Sequence, residues 1–415
     1  MTFNKNIVII LSGQFVSQLG DKIYMLALSY YVLESTGSSA MMGLVLSSAL
    51  FPSLILGFFS GTFIDRYNKK NIIVSTDIIR GMVISGITVA YLMNTLTLPV
   101  IIISQILLSI NAAFFDPAIP SVIPLIVKEN QLTRANSLTQ FIRGITTIIG
   151  PILGGIAVAY IGYTVIFIFN ALSFFISGIF ESFLRIPDIK KEKTITQSVL
   201  QDLLEGYTFI LSDMRLVIII IMVSVIHFFV GSTEVIIPVF ASVLKGNSAQ
   251  NMGSIQSAFG AGTILMACII SIVTINQKEV KLLFSAVFCV GLLFISIVGL
   301  RIAGFSHVIP FMIIFLLIGS FIILAGTCFK SILQKNVPQQ MMGRVFGFVS
   351  SVGNGSIPFS MMVYGFLLSH FSFNKLLIIT GVILLPLSIF CYYSYKGVNN
   401  AGNCQSGTRT NGNEN

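Results

Sequence analysis

The sequence predicts an all-α polytopic membrane protein, with twelve transmembrane helices arranged in two six-helix halves. The chain is 55% hydrophobic and only 9% charged, whereas soluble domains carry roughly 25% charged residues. Its apolar residues form continuous runs of roughly 20 residues, the length of a helix that crosses a bilayer. A membrane barrel would alternate apolar and polar residues over strands of roughly 10 residues. The lipid bilayer is therefore the first predicted partner.

Twelve apolar segments can be marked along the chain. They cover residues 7–33, 41–60, 72–93, 98–127, 140–161, 163–184, 216–243, 251–275, 281–300, 308–334, 345–369 and 376–396. Asp21 and Lys22 interrupt the first segment, and no small-residue cleavage site follows it. We therefore expect a retained span and not a signal peptide. The two halves are then residues 1–186 and 216–396.

A polar stretch separates the halves, and residues 187–215 are predicted to form a cytoplasmic linker. Apolar residues recur there every four positions, at Ile195, Val199, Leu203 and Tyr207. This spacing is typical of an amphipathic helix on a membrane surface, and a flexible connector is the alternative. The tail, residues 397–415, is rich in Asn, Gly and Ser and is predicted to be disordered.

Basic residues concentrate in alternate loops. One set of loops holds Arg66, Lys69, Lys70, Lys128, Arg134, Arg185, Lys190, Lys191, Lys193, Arg215, Lys278, Lys281, Lys335 and Arg344, and the other holds Lys245, Arg301 and Lys375. Because cytoplasmic loops are enriched in Lys and Arg, both termini are predicted to be cytoplasmic. The net charge of +9 is thus explained by topology, and nucleic acid is not a predicted partner.

Motifs for enzymatic chemistry are absent from the sequence. The chain has no G-x-x-x-x-G-K-[ST] loop, H-E-x-x-H or G-x-S-x-G motif, so neither ATP nor catalysis is predicted. Its five cysteines show no paired spacing, so neither a disulfide framework nor a metal site is expected. No cofactor is predicted.

An internal repeat relates the two halves. Several residues recur at a constant offset of 210, as in the pairs Ser38 and Ser248, Gly43 and Gly253, Ser47 and Ser257, and Arg134 and Arg344. One offset that holds over roughly 100 residues without a gap indicates two parallel halves, which is one of the architectures of secondary transporters.

The loop between segments two and three carries a family resemblance. It reads Gly61-Thr-Phe-Ile-Asp65-Arg66-Tyr-Asn68-Lys69-Lys70, and in a twelve-span chain this pattern resembles the major facilitator superfamily. The usual signature has Gly where this chain has Asn68. Because Asn tolerates left-handed backbone, we expect the turn to be preserved. Phe114-Phe-Asp-Pro-Ala118 and Arg134-Ala-Asn-Ser-Leu138 resemble the macrolide-efflux and siderophore-exporter branch.

The resemblance implies a gating role for this loop. In the superfamily, the aspartate that matches Asp65 holds the cytoplasmic ends of the halves together in the outward-facing state. A carboxylate gains up to about 2 kcal/mol at a partly buried helix N-terminus, and the segment that begins near Arg344 can supply both dipole and cation. The gating set is Gly61, Asp65, Arg66, Lys69, Lys70 and Arg344. The alternative is that these charges only anchor the loop in the inner leaflet.

Span five contains Gly150-Pro151-Ile-Leu-Gly154-Gly155, a predicted hinge. Small residues four apart let helix backbones touch, and proline weakens a helix. The stretch resembles the second half of an exporter signature whose leading glycines are here Ser137 and Thr146. In the family this pattern marks antiporters, so it favours export. Close packing without directional meaning is the alternative.

Polar residues within the spans are candidate site residues, because buried charge is costly in a membrane. They form stripes in span one (Gln14, Gln18, Asp21, Met25), span four (Gln105, Ser109, Asp116) and span seven (Ser224, His227, Gly231, Glu234). The resemblance implies that these three spans line a central cavity. Asp21, then Glu234, then Asp116 are the candidate proton carriers.

Each candidate has an alternative. Asp116 precedes Pro117 and can cap a broken turn, Glu234 can lie near the outer surface, and His227 can be a packing residue. Lys22 can reach the interface, pair with an acid or bind an anionic substrate. Three further charges are expected to form interfacial ion pairs: Asp77, Arg143 and Glu181.

The predicted function is secondary active export of amphipathic or lipophilic compounds, driven by proton influx, by a monomer in a bacterial cytoplasmic membrane. Rocking of the two halves would alternate access to a midplane cavity that binds the small-molecule substrate and protons. The alternatives are an exporter of siderophores or lysophospholipids, and a non-transporting sensor on the same scaffold.

Overall fold

The fold is helical throughout the part of the chain that the computed structural model describes, residues 5–128, 131–186, 207–273, 278–338 and 341–410. Thirteen helices lie within these ranges: α1 Lys5–Thr36, α2 Ser39–Ser48, α3 Phe51–Arg66, α4 Lys69–Leu92, α5 Leu98–Ile126, α6 Leu132–Tyr160, α7 Tyr163–Ser182, α8 Met214–Ala241, α9 Ser248–Ile272, α10 Glu279–Ile302, α11 Val308–Asn336, α12 Met342–His370 and α13 Phe373–Thr410.

These helices account for the twelve predicted spans, because α2 and α3 together form the second one. Pro52 lies in the first turn of α3, where its missing N–H leaves no intrahelical bond unmade. Ten spans within the described ranges have the length and apolar composition to cross a membrane. The helices α1 and α12, of 32 and 29 residues, are as long but carry more polar side chains. The predicted all-α membrane fold is confirmed.

Asn68 begins α4 in a way that the sequence did not predict. Its side-chain oxygen accepts hydrogen bonds from the backbone N–H groups of Lys70 and Asn71, at 3.0 and 3.3 Å. Its backbone is extended, with φ −67°, so the expected left-handed turn is wrong. The physical reason is capping: an asparagine side chain satisfies N–H groups at the start of a helix, which a glycine cannot do.

The helix pairing of the first half is repeated in the second. In the first half α1 contacts α6 and α7, α4 contacts α5 and α7, and α3 contacts α5. In the second half α8 contacts α12 and α13, α10 contacts α11 and α13, and α9 contacts α11. Each pair has a counterpart six spans further along the chain. This is the packing expected of parallel halves that share a repeat.

The two halves meet through glycines on α2 and α12. A Cβ added to Gly365 would lie 2.7 Å from the backbone oxygen of Ser39, and one on Gly43 would overlap the carbonyl oxygen of Met361. The Ser39 hydroxyl also donates a hydrogen bond to the Gly365 carbonyl at 3.0 Å. Because backbone faces backbone here, a larger residue has no side-chain rotamer that relieves the overlap.

The same contact is made again between α6 and α9. A Cβ on Gly155 would lie 2.5 Å from the Ala249 carbonyl oxygen, and one on Gly253 would overlap the carbonyl oxygen of Pro151. Each of these four residues lies 210 positions from its counterpart in the first contact: Ala249 and Gly253 follow Ser39 and Gly43, and Gly155 and Pro151 precede Gly365 and Met361. We call the two contacts the glycine clasps. They lie at the end of the bundle that the charge distribution predicts to be extracellular.

The structure describes the linker and the tail in part. Residues 207–212 are helical, and the rest of the predicted amphipathic helix lies outside the described residues. The linker ends at Asp213, which caps α8 and binds the Arg215 guanidinium at 2.7 Å. These hydrogen bonds hold the pKa of the Asp213 carboxyl below its usual value. The helix α13 continues to Thr410, where the sequence predicts a disordered tail from residue 397, and residues 411–415 lie outside the described part of the chain.

Gly253→Ala should destabilise the protein, because its new methyl group meets a backbone carbonyl that cannot move aside. Overpacking of this kind costs about 1–3 kcal/mol. The matched control is Gly299→Ala on α10, where nothing lies within 4 Å of the added Cβ and no loss is expected. The chain has no tryptophan, so thermal unfolding in detergent is followed by circular dichroism. Equal unfolding midpoints for the two variants would show that the contact between α6 and α9 tolerates a larger residue at position 253.

Candidate functional site

A cavity of about 350 Å³ lies within the first half. Its lining residues come from α1, α4, α5, α7 and the joint between α2 and α3: Ser17, Gln18, Asp21, Lys22, Met25, Ala49, Leu50, Arg80, Gln105, Leu108, Ser109, Ala112, Phe115, Asp116 and Phe174. The volume lies at the lower end of the range for small-molecule sites. Four of the predicted site residues are among its walls: Gln18, Asp21, Lys22 and Asp116.

One face of α1 supplies charge to this cavity. Gln18, Asp21 and Met25 follow one another at helical spacing, so they lie on one side of the helix. Asp21 is half-buried and interacts electrostatically with Lys22 and Asp116. Lys22 is exposed to the cavity. It interacts electrostatically with Asp21 and Glu234, so it does not need to reach the membrane surface.

The polar face of α5 completes the wall opposite α1. The Gln105 amide donates to the Tyr24 hydroxyl at 2.9 Å, and the Ser109 hydroxyl accepts from the backbone N–H of Ser53 at 3.0 Å. That second bond satisfies an N–H in the first turn of α3, where the helix itself supplies no partner. Asp116 is exposed, and α5 continues as a helix through Pro117. The cavity wall therefore also holds the joint of α2 and α3 in place.

Arg80 is the functional residue that sequence reasoning missed. It lines the cavity from α4 and is only 9% exposed. Its guanidinium lies 4.4 Å from the Phe115 ring centroid and 5.6 Å from that of Phe174, and 3.8 Å from the Asp77 carboxylate. Aromatic rings stabilise a desolvated cation by about 0.5–2 kcal/mol each. An acid and an arginine three residues apart inside an apolar segment were the signal for this site.

Asp77 and Glu181 lie in the protein interior, which corrects the prediction of interfacial ion pairs. Both residues are 0% exposed. Glycines explain how the helices cover them: a Cβ on Gly178 would lie 3.5 Å from Asp77, and a Cβ on Gly13 of α1 would lie 3.4 Å from Glu181. The third residue of that prediction, Arg143, is exposed.

Part of the polar stripe of span seven faces α12. A Cβ on Gly231 would lie 2.6 Å from the Ile357 carbonyl oxygen, and one on Gly353 would lie 3.4 Å from the His227 ring. The His227 Nδ1 is 2.9 Å from the Val223 carbonyl oxygen. These close approaches place His227 at a helix contact. Span seven contributes no lining residue to this cavity of the first half, and its place on a central cavity between the halves stays a prediction.

Glu234 ends the same stripe and is placed differently. It is exposed, and it interacts electrostatically with Lys22 of the other half. Arg80 also interacts with Asp21, but it is paired with the buried Asp77. Lys22 is therefore the cation left to balance the carboxyls of Asp21, Asp116 and Glu234, so acids are in excess around the cavity and favour a positively charged ligand.

The predicted hinge in α6 packs against two different helices. A Cβ on Gly150 would lie 2.5 Å from the Lys22 Cβ, and one on Gly154 would lie 3.3 Å from the Ile23 carbonyl oxygen. These two glycines fit α6 against α1. Gly155 and the Pro151 carbonyl form the glycine clasp with α9. The motif therefore links the helix that carries Lys22 to the contact between the halves.

The structure describes the gating loop in part. The Lys69 Nζ donates to the Ser121 carbonyl at 3.2 Å, which ties α4 to α5, and Lys70 is half-buried. The side chains of Asp65, Arg66 and Arg344, and the surroundings of Gly61, lie outside the described part of the structure. A gating role for Asp65 therefore stays a prediction. Among the described residues, no group of three or more His, Cys, Asp or Glu could hold a metal ion.

Comparison with known proteins decides the family. The model of the Major Facilitator Superfamily matches residues 10–361. The chain belongs to the Major Facilitator Superfamily. The resemblance drawn from the Asp65 loop is thereby confirmed. As a member of this superfamily, the protein is a multi-pass membrane transporter and not an enzyme.

Relatives within the superfamily cover nearly the whole chain. Macrolide efflux protein A of Streptococcus pyogenes is 20% identical over 384 residues, which are 92% of this chain and 93% of the relative. The staphyloferrin A transporter of Staphylococcus aureus is 21% identical over 386 residues, 92% of this chain and 94% of the relative. The crystal structure of the nucleoside transporter NupG matches with a TM-score of 0.75 at 12% identity, over 95% of this chain and all of that one, which shows the shared fold.

Arg80→Met should cost much more stability than Lys22→Met. Removing one partner of a buried ion pair costs about 3–5 kcal/mol, because the Asp77 carboxylate would remain buried without its cation. Lys22 is exposed to the cavity, and its replacement should cost about 0.5 kcal/mol or less. Thermal unfolding at neutral pH compares the two variants. If both lose the same stability, Arg80 does not neutralise the buried acids.

Proposed function

We propose that the protein is a secondary active exporter of amphipathic compounds, acting as a proton antiporter by alternating access. It functions as a monomer in a bacterial cytoplasmic membrane with both termini in the cytoplasm. The observation that carries this proposal is a cavity with an excess of acids within the first half, in a bundle whose two halves are in close contact at one end. Similarity to a macrolide efflux protein over 92% of the chain supports export.

The cavity walls favour an amphipathic cation as substrate. Met25, Leu50, Leu108 and the rings of Phe115 and Phe174 supply apolar surface. The carboxyls of Asp21 and Asp116 supply negative charge beside that surface. A lipophilic compound with one basic nitrogen gains from both, since apolar burial provides affinity and a few charged groups fix orientation.

The glycine clasps support alternating access. They close the bundle at the end predicted to be extracellular, so the cavity is to be filled from the cytoplasmic side in this state. Release on the opposite side requires the contact of α2 with α12 and that of α6 with α9 to open together. Rocking of two rigid halves achieves this, because the clasps are related by the repeat.

Proton uptake by cavity carboxyls supplies the driving force in this proposal. Asp21 is the first candidate, because it interacts with Lys22, Arg80 and Asp116 and so responds to every charge in the cavity. Glu234 and Asp116 follow in that order. A proton on any of these groups lowers the attraction for a cationic substrate, which is the competition that an antiporter needs.

A second candidate function is export of an anionic compound such as a siderophore. The specific observation in its favour is the pair of cations, Lys22 and Arg80, on the cavity wall. Similarity to a staphyloferrin A transporter over 92% of the chain supports it. The two candidates predict opposite effects of removing Lys22: Lys22→Gln should improve export of a cation and impair export of an anion.

Cells that overproduce the protein should accumulate less ethidium, an amphipathic cation, and a protonophore should restore accumulation. Asp21→Asn and Glu234→Gln should flatten the dependence of this efflux on external pH, because each removes a carboxyl that can exchange a proton. The control is Glu34→Gln, since Glu34 binds the Tyr163 hydroxyl at 2.5 Å at the end of α1, away from the cavity lining.

Two results would contradict the proposal at different levels. If neither Asp21→Asn nor Glu234→Gln changes the pH dependence, the assigned proton carriers are wrong. If accumulation of ethidium, erythromycin and siderophores is unchanged by overproduction, export itself is wrong, and a non-transporting sensor becomes the better explanation.

Asp65→Asn should slow efflux by about tenfold without reducing the amount of protein in the membrane. The reason is the loss of a charged contact worth about 1–2 kcal/mol at a helix N-terminus, where a factor of ten is about 1.4 kcal/mol. The control is Lys128→Gln, an exposed lysine at the same predicted cytoplasmic surface but outside the gating set, which should transport almost normally. Wild-type turnover in Asp65→Asn would refute the gating role.

A further inference from the structure

Two acids are buried side by side behind the cavity wall. Asp77 of α4 and Glu181 of α7 are both 0% exposed. Their side chains interact directly, and the Ser177 hydroxyl lies beside Asp77. Arg80 lies 3.8 Å from the Asp77 carboxylate and interacts electrostatically with Glu181. This cluster therefore brings two potential negative charges against one positive charge.

The surroundings do not stabilise both acids as carboxylates. Within the described residues, none of the four carboxyl oxygens accepts a hydrogen bond from a donor group. On the side of α1, Gly13 lies next to Glu181, and the charged residue of α1 that acts on Asp77 is another acid, Asp21. The helix α5 contributes the Phe115 ring through its contact with Arg80. Two like charges at such short range in a low-dielectric interior do not both ionise.

We infer that Asp77 and Glu181 share one proton and form a proton-binding site of the transport cycle, with Arg80 connecting that site to the substrate cavity. The inference rests on the proposed proton-coupled export. It places a proton behind the cavity wall, in addition to the carboxyls that line the cavity.

Arg80 can connect the two sites because it belongs to both. Its guanidinium lines the cavity between two aromatic rings and also pairs with Asp77. A cation bound beside Asp21 and Asp116 repels this guanidinium toward the buried acids. The additional positive charge near the pair then stabilises both carboxylates.

The proton and charge balance is simple. Before substrate binding, the two acids hold one proton and one negative charge, which Arg80 neutralises. When a monocation enters the cavity, the shared proton leaves to the cavity water, so one positive charge enters and one departs. The pair takes up a proton again when the cavity is empty, which gives an exchange of one proton for one cation.

Infrared spectroscopy of the purified protein tests the shared proton without any substrate. A protonated carboxyl has a carbonyl band that carboxylates lack, and the band shifts in heavy water. Glu181→Gln and Asp77→Asn should each abolish one such band at neutral pH, because either change leaves a single acid that pairs with Arg80. Glu181→Gln keeps the contact between Asp77 and Arg80, so it remains informative if Asp77→Asn fails to fold.

A matched control defines the outcomes of this test. Glu34→Gln should keep the band, because Glu34 lies at the far end of α1. If the band survives in Glu181→Gln, or disappears in Glu34→Gln, the shared proton is not on this pair and the inference is overturned.

A second measurement separates this inference from the proposed function. Ethidium added to weakly buffered wild-type protein should release about one proton per molecule bound, and Glu181→Gln should bind ethidium while releasing almost none. Equal release by Glu181→Gln would overturn the inference and leave proton-coupled export in place. If wild-type protein binds ethidium and releases no proton, coupling itself fails, whatever the infrared band shows.

Discussion

The approach of backbone to backbone at the two glycine clasps is the constraint on which the rest of the structure depends. Lipid chains are as apolar as the side chains between helices, so close packing and polar contacts must hold the halves together. Gly43 meets Met361, and Gly253 meets Pro151. Because the two contacts are related residue by residue by the 210-residue offset of the repeat, both halves take part in closing the bundle in the same way.

The sequence predicted the spans and the repeat because both depend on local composition. The resemblance to the superfamily led us to expect Asp21 and Asp116 at a cavity, and both line one in the first half; for Lys22 the sequence left three explanations open. The spacing of Asp77 and Arg80 marks their position, but the contacts of Arg80 with rings from α5 and α7 form only in three dimensions. Gly353, distant in sequence, brings α12 against His227, which favours the packing role that the sequence left open for this residue. Asn68 is compatible both with a left-handed turn and with a helix N-cap, and in the structure it caps α4.

The charged residues of the first half form two layers that differ in the free-energy cost of desolvating them. Asp21, Lys22 and Asp116 line the cavity, where water or substrate can solvate them. Asp77 and Glu181 lie behind that wall, fully buried, and depend on Arg80. Buried charge of this kind contributes little net stability compared with well-packed apolar residues. Its presence in a chain that is only 9% charged is therefore better explained by function than by folding.

The break between α2 and α3 has a mechanical consequence. The helix α2 is 10 residues long, and at 1.5 Å per residue it forms an arm of about 15 Å. One end of this arm meets the cavity wall, where Ser109 binds the first turn of α3. The other end carries Ser39, which binds α12. If α2 tilts slightly at its joint with α3, the end that moves furthest is the one at the clasp. The second span therefore has the geometry of a lever.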